Sequence, residues 1–270
     1  MSREHRIPAV ERAIAVLDAL ALHREGMALP ELARTCGSSR STTYRLLTSM
    51  EEAGLVRRGE AGRHLLGPRL LGLAAAALAG MGVGDVVACA RPHLERLSAV
   101  TGEASKLSVL DQGQALCIDA VAGANPYALS PRTAQWFPLH AGAASKVLLA
   151  AMPAAAREAV VVGPLERFSD RTICDAEGLS RELESVIGQG WAEDRGEHSP
   201  SVCALAAPIV GGDGAVVATV SMAYVAERHD RMKRHHLDDL RRCCADIGVL
   251  LAAAPSARGP APPGPVGRAA

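Results

Sequence analysis

Apolar positions Val10, Ile14, Leu17 and Ala21 recur at the spacing of one helix face, so residues 9–22 read as an amphipathic helix. A short second helix starts at Pro30, a residue suited to the first helical turn, and runs through Leu32 and Ala33 to a turn at Cys36-Gly37-Ser38. Ser38 or Ser39 can cap a third helix, whose Leu46, Leu47, Met50 and Ala53 share one side until Gly54 stops it. After Gly54 the period shortens. Leu55–Arg58 and Arg63–Leu66 read as two short strands about the turn Gly59-Glu60-Ala61-Gly62. Gly67-Pro68 then punctuates the chain before an Ala/Leu-rich helix from Arg69 to Ala79, closed by Gly80, Gly82 and Gly84.

The remainder predicts a helix near 85–101 and a hairpin of strands 104–110 and 115–121 about Asp111-Gln112-Gly113-Gln114. Helices are expected near 141–151, 153–161 and 175–188, strands near 190–194, 201–210 and 215–224, and a last helix over 229–252. Antiparallel hairpins flanked by separate helices give an α+β class, because a doubly wound sheet would alternate strand and helix. The expected divisions are a three-helix-plus-hairpin domain over 1–68, a linker helix over 69–84, an α+β domain over 85–252 and a disordered Pro/Ala/Gly-rich tail over 253–270.

Composition changes this picture little, but charge distribution sharpens it. The 270 residues carry 29 basic and 29 acidic side chains, while Met1–Arg69 alone holds 11 Arg against 8 Asp and Glu. Within Arg34–Arg69 the imbalance is seven Arg against three Glu, the local footprint of phosphate neutralisation. The longest uncharged run, Leu70–Gly84, has fifteen residues and is weakly apolar, short of the roughly 18 that a bilayer span needs. The charged opening MSREHRIP has no apolar leader, and seven cysteines without a C-x-x-C pair suit a reducing compartment. These features imply a cytoplasmic protein with no membrane segment.

A helix-turn-helix followed by a hairpin is a DNA-binding unit: one helix enters the major groove and the hairpin, or wing, touches flanking backbone. The third helix presents Ser39, Arg40, Ser41 and Thr42 in its first turn, with Tyr44 and Arg45 one turn on, opposite Leu47 and Met50. Arg pairs with guanine edges, and hydroxyls suit phosphates. Arg57, Arg58 and Arg63 on the wing fit phosphate contacts. A solvated face with capping residues is the plainer alternative.

These segments are similar to the IclR family, named for the isocitrate lyase regulator. Ser41-Thr42-Thr43-Tyr44-Arg45-Leu46-Leu47 resembles its recognition helix, and Leu66-Gly67-Pro68-Arg69-Leu70 the exit from its wing. Phe137-Pro138-Leu139-His140-Ala141 and Ala206-Ala207-Pro208 resemble sensor-domain signatures, so the likeness spans about residues 8–252. The resemblance implies a winged helix-turn-helix, a linker helix and a GAF- or profilin-like antiparallel-sheet sensor domain. It also implies double-stranded operator DNA and a small metabolite effector as partners, and a homodimer or tetramer. Thr43 stands where relatives often carry Val, and its spacing turns it inward.

Small residues Gly142, Ala143, Ala144 and Ser145 open a helix after Leu139-His140, and free amides at a helix start attract anions. Close packing is the alternative reading of the same small residues. By resemblance this segment borders the effector pocket, with Asp194, Ala204, Ser221 and Ala223 on the facing strands. Ala204 stands where relatives that bind small oxoacids often place Cys, and Cys203, one residue earlier, faces the other side of a strand. Ala223 likewise replaces a family serine. Fewer hydrogen-bonding groups imply an effector larger or less polar than glyoxylate or pyruvate. The sequence has no G-x-S-x-G, H-E-x-x-H, P-loop or S-x-x-K motif and no convincing metal-ligand spacing among its histidines, so neither an enzyme, a cofactor nor a metal is expected. A constitutive DNA-architectural protein without a ligand is a further alternative, which failure of every metabolite to alter DNA binding would favour.

Overall fold

The computed structural model describes residues 7–126 and 128–253. The expectation of a disordered tail falls on residues outside that range, apart from Ala253, which ends a helix. Two compact units divide between Gly84 and Asp85.

In the first unit, α1 (Pro8–Leu22), α2 (Leu29–Thr35) and α3 (Arg40–Glu52) enclose a core of Val16, Leu20, Leu32, Leu47 and Met50, closed by Met27 and Val56. Each fully buried Leu or Val contributes roughly 1.5–3 kcal/mol, which is what holds so small a unit together. Ser39 rather than Ser38 caps α3, its hydroxyl accepting from the Thr42 amide at 3.1 Å. Strands β1 (Val56–Arg58) and β2 (His64–Leu66) pair antiparallel, joined by a 3-10 turn in which Ala61 and Gly62 take φ of 53° and 70°. A side chain at Gly67 would meet the Gly54 carbonyl oxygen at 2.2 Å, so only glycine lets the hairpin's exit cross the end of α3. Helix α4 (Arg69–Gly80) follows, and none of its residues is buried.

The second unit comprises α5 (Gly84–Thr101), β3 (Ala104–Asp111), β4 (Gln114–Val121), β5 (Gln135–Phe137), α6 (Ala143–Ala150), α7 (Ala154–Val161), α8 (Ala176–Gln189), β6 (Ala192–Arg195), β7 (Val202–Val210), β8 (Val216–Val225) and α9 (His229–Ala253). The six strands form one antiparallel sheet in the order β5-β4-β3-β8-β7-β6. Helix α6 packs Ala143 and Val147 against Ala192, Ala204 and Ala206, while α9 lies on β7 and β8. The α+β architecture agrees with the sequence pattern. Three details differ. The three-residue edge strand β5 is too short to show an alternation. Strand β6 begins at Ala192, because Gly190 closes α8 in a left-handed conformation (φ 76°). Helix α6 begins at Ala143, because Gly142 has φ 106° and cannot be helical.

Candidate functional site: an exposed helix face and a pocket over the sheet

On α3 the inward stripe Thr43, Leu47 and Met50 is buried, which leaves Ser39, Arg40, Ser41, Thr42, Tyr44 and Arg45 all exposed. Tyr44 is 52% exposed, a large ring on the surface with no ring contact or side-chain hydrogen bond among the described residues. Ser39 and Thr42 also bond to each other, Oγ to Oγ1 at 2.9 Å, so their hydroxyls serve the cap first. The cations separate into two groups. Arg40, Arg45 and Arg57 make no ion pair and no side-chain hydrogen bond among the described residues. Arg58 pairs with Glu51 at 3.1 Å. Arg63 donates to the Gly26 carbonyl at 2.8 Å and to the Glu25 carbonyl at 3.1 Å, and lies 3.4 Å from Glu31. Its guanidinium braces the wing against the loop ahead of α2.

The other candidate lies in the second unit. Cross-strand register sets Asp194, Ala204, Ala223 and Ala104 in one row over β6, β7, β8 and β3, and the next row places Ala192, Ala206, Ser221 and Lys106 side by side. Rows of such small side chains leave a hollow in the sheet. A cavity of about 80 Å³ occupies it, roofed by Gly142, Ala143, Ala144 and Ser145 at the start of α6. Asp194, Ala204, Ser221 and Ala223 line it as well, so eight of the ten residues singled out from the sequence converge here. Leu139 and His140 do not line it. Leu139 is buried in a core with Leu148, Leu149 and Leu179, and the buried His140 bonds the Glu166 carbonyl through Nε2 at 2.8 Å. Cys203 is buried and lines no part of the cavity.

Six lining residues escaped the sequence reading: Lys106, Ser108, Phe137, His198, Ser199 and Val202. A lysine at Lys106, two residues along from Ala104 and hence on the same face of its strand, was the available signal. Its ammonium makes no ion pair among the described residues and sits 5.3 Å from the centroid of the Phe137 ring. Phe137 meets His198 edge-on at 5.3 Å, and Phe168 packs on the same imidazole at 5.1 Å.

Behind the pocket lies a buried charge cluster. Lys146, 1% exposed, donates to Glu197 at 2.5 Å and to Glu182 at 2.7 Å. Burial acts against the ammonium, but the two carboxylates outweigh it and its pKa is raised. Glu197 is pushed up to about 7, by burial first and by nearby Asp194, against the pull of Lys146. Asp194 is also raised by burial, although its Oδ1 accepts the Gly196 and Glu197 amides at 2.9 and 2.7 Å. Among the described residues no group of three or more His, Cys, Asp or Glu could hold a metal ion, and no single helix is long and apolar enough to cross a membrane.

Two family models match: the IclR helix-turn-helix domain over residues 9–60 and the bacterial transcriptional regulator IclR C-terminal domain over residues 79–249. An HTH-type transcriptional regulator of Mycobacterium tuberculosis is 32% identical over 84% of this chain and 86% of its own length. The Thermotoga maritima IclR crystal structure superposes with a TM-score of 0.71 at 24% identity, covering 92% of this chain and all of that one (100%). An IclR homologue from Microbacterium hydrocarbonoxydans, solved in complex with 4-hydroxybenzoate, gives a TM-score of 0.65 at 27% identity over 91% of this chain and 100% of its own.

Proposed function

The chain belongs to the IclR family of bacterial transcriptional regulators, and from this premise we propose that α3 reads operator DNA while the pocket over the sheet receives the effector. The protein is a DNA-binding regulator and not an enzyme. The single observation that carries the contact assignment is the separation of cations. Arg40, Arg45 and Arg57 are exposed without partners among the described residues, which is the condition in which a guanidinium can neutralise phosphate or read guanine. Ser41, Thr42 and Tyr44 share that face, and Ser39 caps it. Arg63 contributes by bracing the wing.

Eight of the ten residues anticipated from the sequence line one cavity, which supports the effector assignment. Asp194, Gly142–Ser145, Ala204, Ser221 and Ala223 form its walls. With alanines at 204 and 223, the lining supports an effector larger or less polar than glyoxylate or pyruvate. The 4-hydroxybenzoate complex of the Microbacterium homologue supports small-molecule binding in such a fold. Effector occupancy then alters operator affinity by a coupling of about 1–3 kcal/mol, five- to 150-fold.

The domain division proposed is a DNA-binding unit ending near Pro68, the α4 segment, and the effector unit from Asp85. The protein acts as a homodimer or a higher oligomer, in the cytoplasm. Mapping the fragments of its own genome that it binds, then titrating the neighbouring pathway's metabolites against operator binding, tests the whole reading. Operator binding that no metabolite alters would overturn the sensor half and favour a constitutive DNA-binding protein.

A further inference from the structure

This chain is poor in aromatic residues, with two Phe in 270, yet both pack on His198, a residue that lines the cavity. Phe137 and His198 themselves line the cavity. The cavity is also lined by Ala204 and Ala223, cross-strand neighbours on β7 and β8, with Val202 two residues along from Ala204. At about 80 Å³ the space is well below the roughly 300–1,000 Å³ of pockets for drug-sized ligands, so it suits a single ring more than a nucleotide or a disaccharide.

Lys106 and Asp194 each keep a charged atom without a protein hydrogen-bond partner among the described residues inside this slot. Lys106 Nζ has no carboxylate within ion-pair range among the described residues, and its one contact of note is the face of Phe137. A half-buried ammonium with only a ring quadrupole for company is poorly compensated, and an incoming anion would supply what it lacks. Asp194 spends Oδ1 on two backbone amides, while its Oδ2 has no hydrogen-bond donor among the described residues and faces Gly142.

Resting on the effector-pocket reading above, we propose that Lys106 and the Phe137–His198 pair determine specificity, and that the effector is a ring-bearing carboxylic acid. Lys106 takes the carboxylate, Phe137 and His198 take the ring, and Asp194 Oδ2 accepts from a hydroxyl or N–H on the ring. No covalent step is involved.

The test is a thermal-shift and calorimetric comparison of full-length protein with matched pairs: benzoate and benzamide, 4-hydroxybenzoate and 4-hydroxybenzamide, nicotinate and nicotinamide. Glyoxylate, pyruvate and hexanoate serve as acids without a ring. The expected result is saturable binding of at least one ring acid, at least tenfold tighter than its amide and than hexanoate. Lys106→Met abolishes the acid-over-amide preference, Lys106→Arg retains it, and Phe137→Leu narrows the ring-over-hexanoate preference. The unliganded melting temperatures separate these effects from misfolding. The proposal is overturned if no ring acid binds, if amides bind as well as acids, or if Lys106→Met keeps the preference. Should other metabolites shift both stability and operator binding while ring acids do not, the effector reading stands and this one falls. Should no compound alter operator binding, both fall.

Discussion

Glu197 binds four segments at one point. Its Oε1 accepts from Lys146 on α6, Oε2 from the Gly142 amide at 3.3 Å, its own amide donates to Asp194 on β6, and its carbonyl takes the Thr172 hydroxyl at 2.6 Å. A carboxylate so placed couples pH to stability, with a definite sign. The folded state holds this proton up to about pH 7 against an ordinary 4.5, so the stabilisation it brings is complete below 4.5 and is lost as pH rises through 7. A shift of that size corresponds to about 3 kcal/mol between the two limits. Glu197→Gln should flatten the fall in stability between about pH 5 and 8, measured by urea unfolding at stepped pH. A slope identical to the parent's would show that the proton sits elsewhere. Lys146→Ala removes the pull that holds Glu197 down, so Glu197 takes up a proton at pH 7 and both glutamates lose their buried donor, and a loss of about 1–3 kcal/mol is expected in the same assay. A loss under 1 kcal/mol would mean that water already screens the cluster.

Helix α3 divides cleanly between an inward stripe and an exposed face, and this was legible in the sequence because the 3.6-residue period decides it. The wing was legible as a hairpin, but not the different tasks of its arginines. Arg57, Arg58 and Arg63 look alike in sequence, and only tertiary contacts commit Arg58 to Glu51 and Arg63 to Gly26 and Glu25. Arg45→Ala should therefore weaken operator binding and, where it meets a phosphate, reduce the salt slope by about one, with little change in melting temperature. Arg63→Ala should do the reverse, lowering the melting temperature first. Filter binding across 50–300 mM salt, paired with calorimetry, distinguishes them; equal effects on both measurements would undo the division. In the second unit, the anticipated pocket residues were grouped by the family resemblance, and they lie on neighbouring strands of one sheet or at one helix start. Lys106, Phe137 and His198 reach the same place from β3, β5 and the β6–β7 turn, and no local pattern announces a meeting of segments that are distant in sequence. Leu139 and His140 adjoin Gly142 in the chain, yet their side chains turn into the core and toward Glu166, which chain proximity does not reveal.

At the scale of the molecule, the first unit exposes apolar stripes that its own described residues do not cover. Helix α1 buries Val16, Ala19 and Leu20 in its own core, yet exposes Val10 and Ile14 at 53% and 52% on a second stripe, with Ile7 just ahead of it at 64%. Helix α4 buries none of its residues and exposes Leu71 at 75% and Leu73 at 50%. A twelve-residue Ala/Leu helix without packing is marginal in water, since most helical stability in proteins comes from a covered apolar face. Covering an exposed Ile or Leu is worth up to roughly 1.5–3 kcal/mol, which makes these stripes the contact to test for the proposed homodimer. Two-fold pairing would also present two α3 helices to half-sites about 34–36 Å apart, as helix-turn-helix dimers do. Ile14→Glu combined with Leu71→Glu places charge on both stripes while leaving the buried core untouched. Light scattering should then show a smaller particle than the parent, with an unchanged circular dichroism spectrum. Operator binding should fall by about 10²-fold or more, because each half-site is then engaged without the effective concentration supplied by its neighbour. A parent-sized particle would place the subunit contact on other surfaces; a smaller particle that bound the operator undiminished would show that one α3 is sufficient.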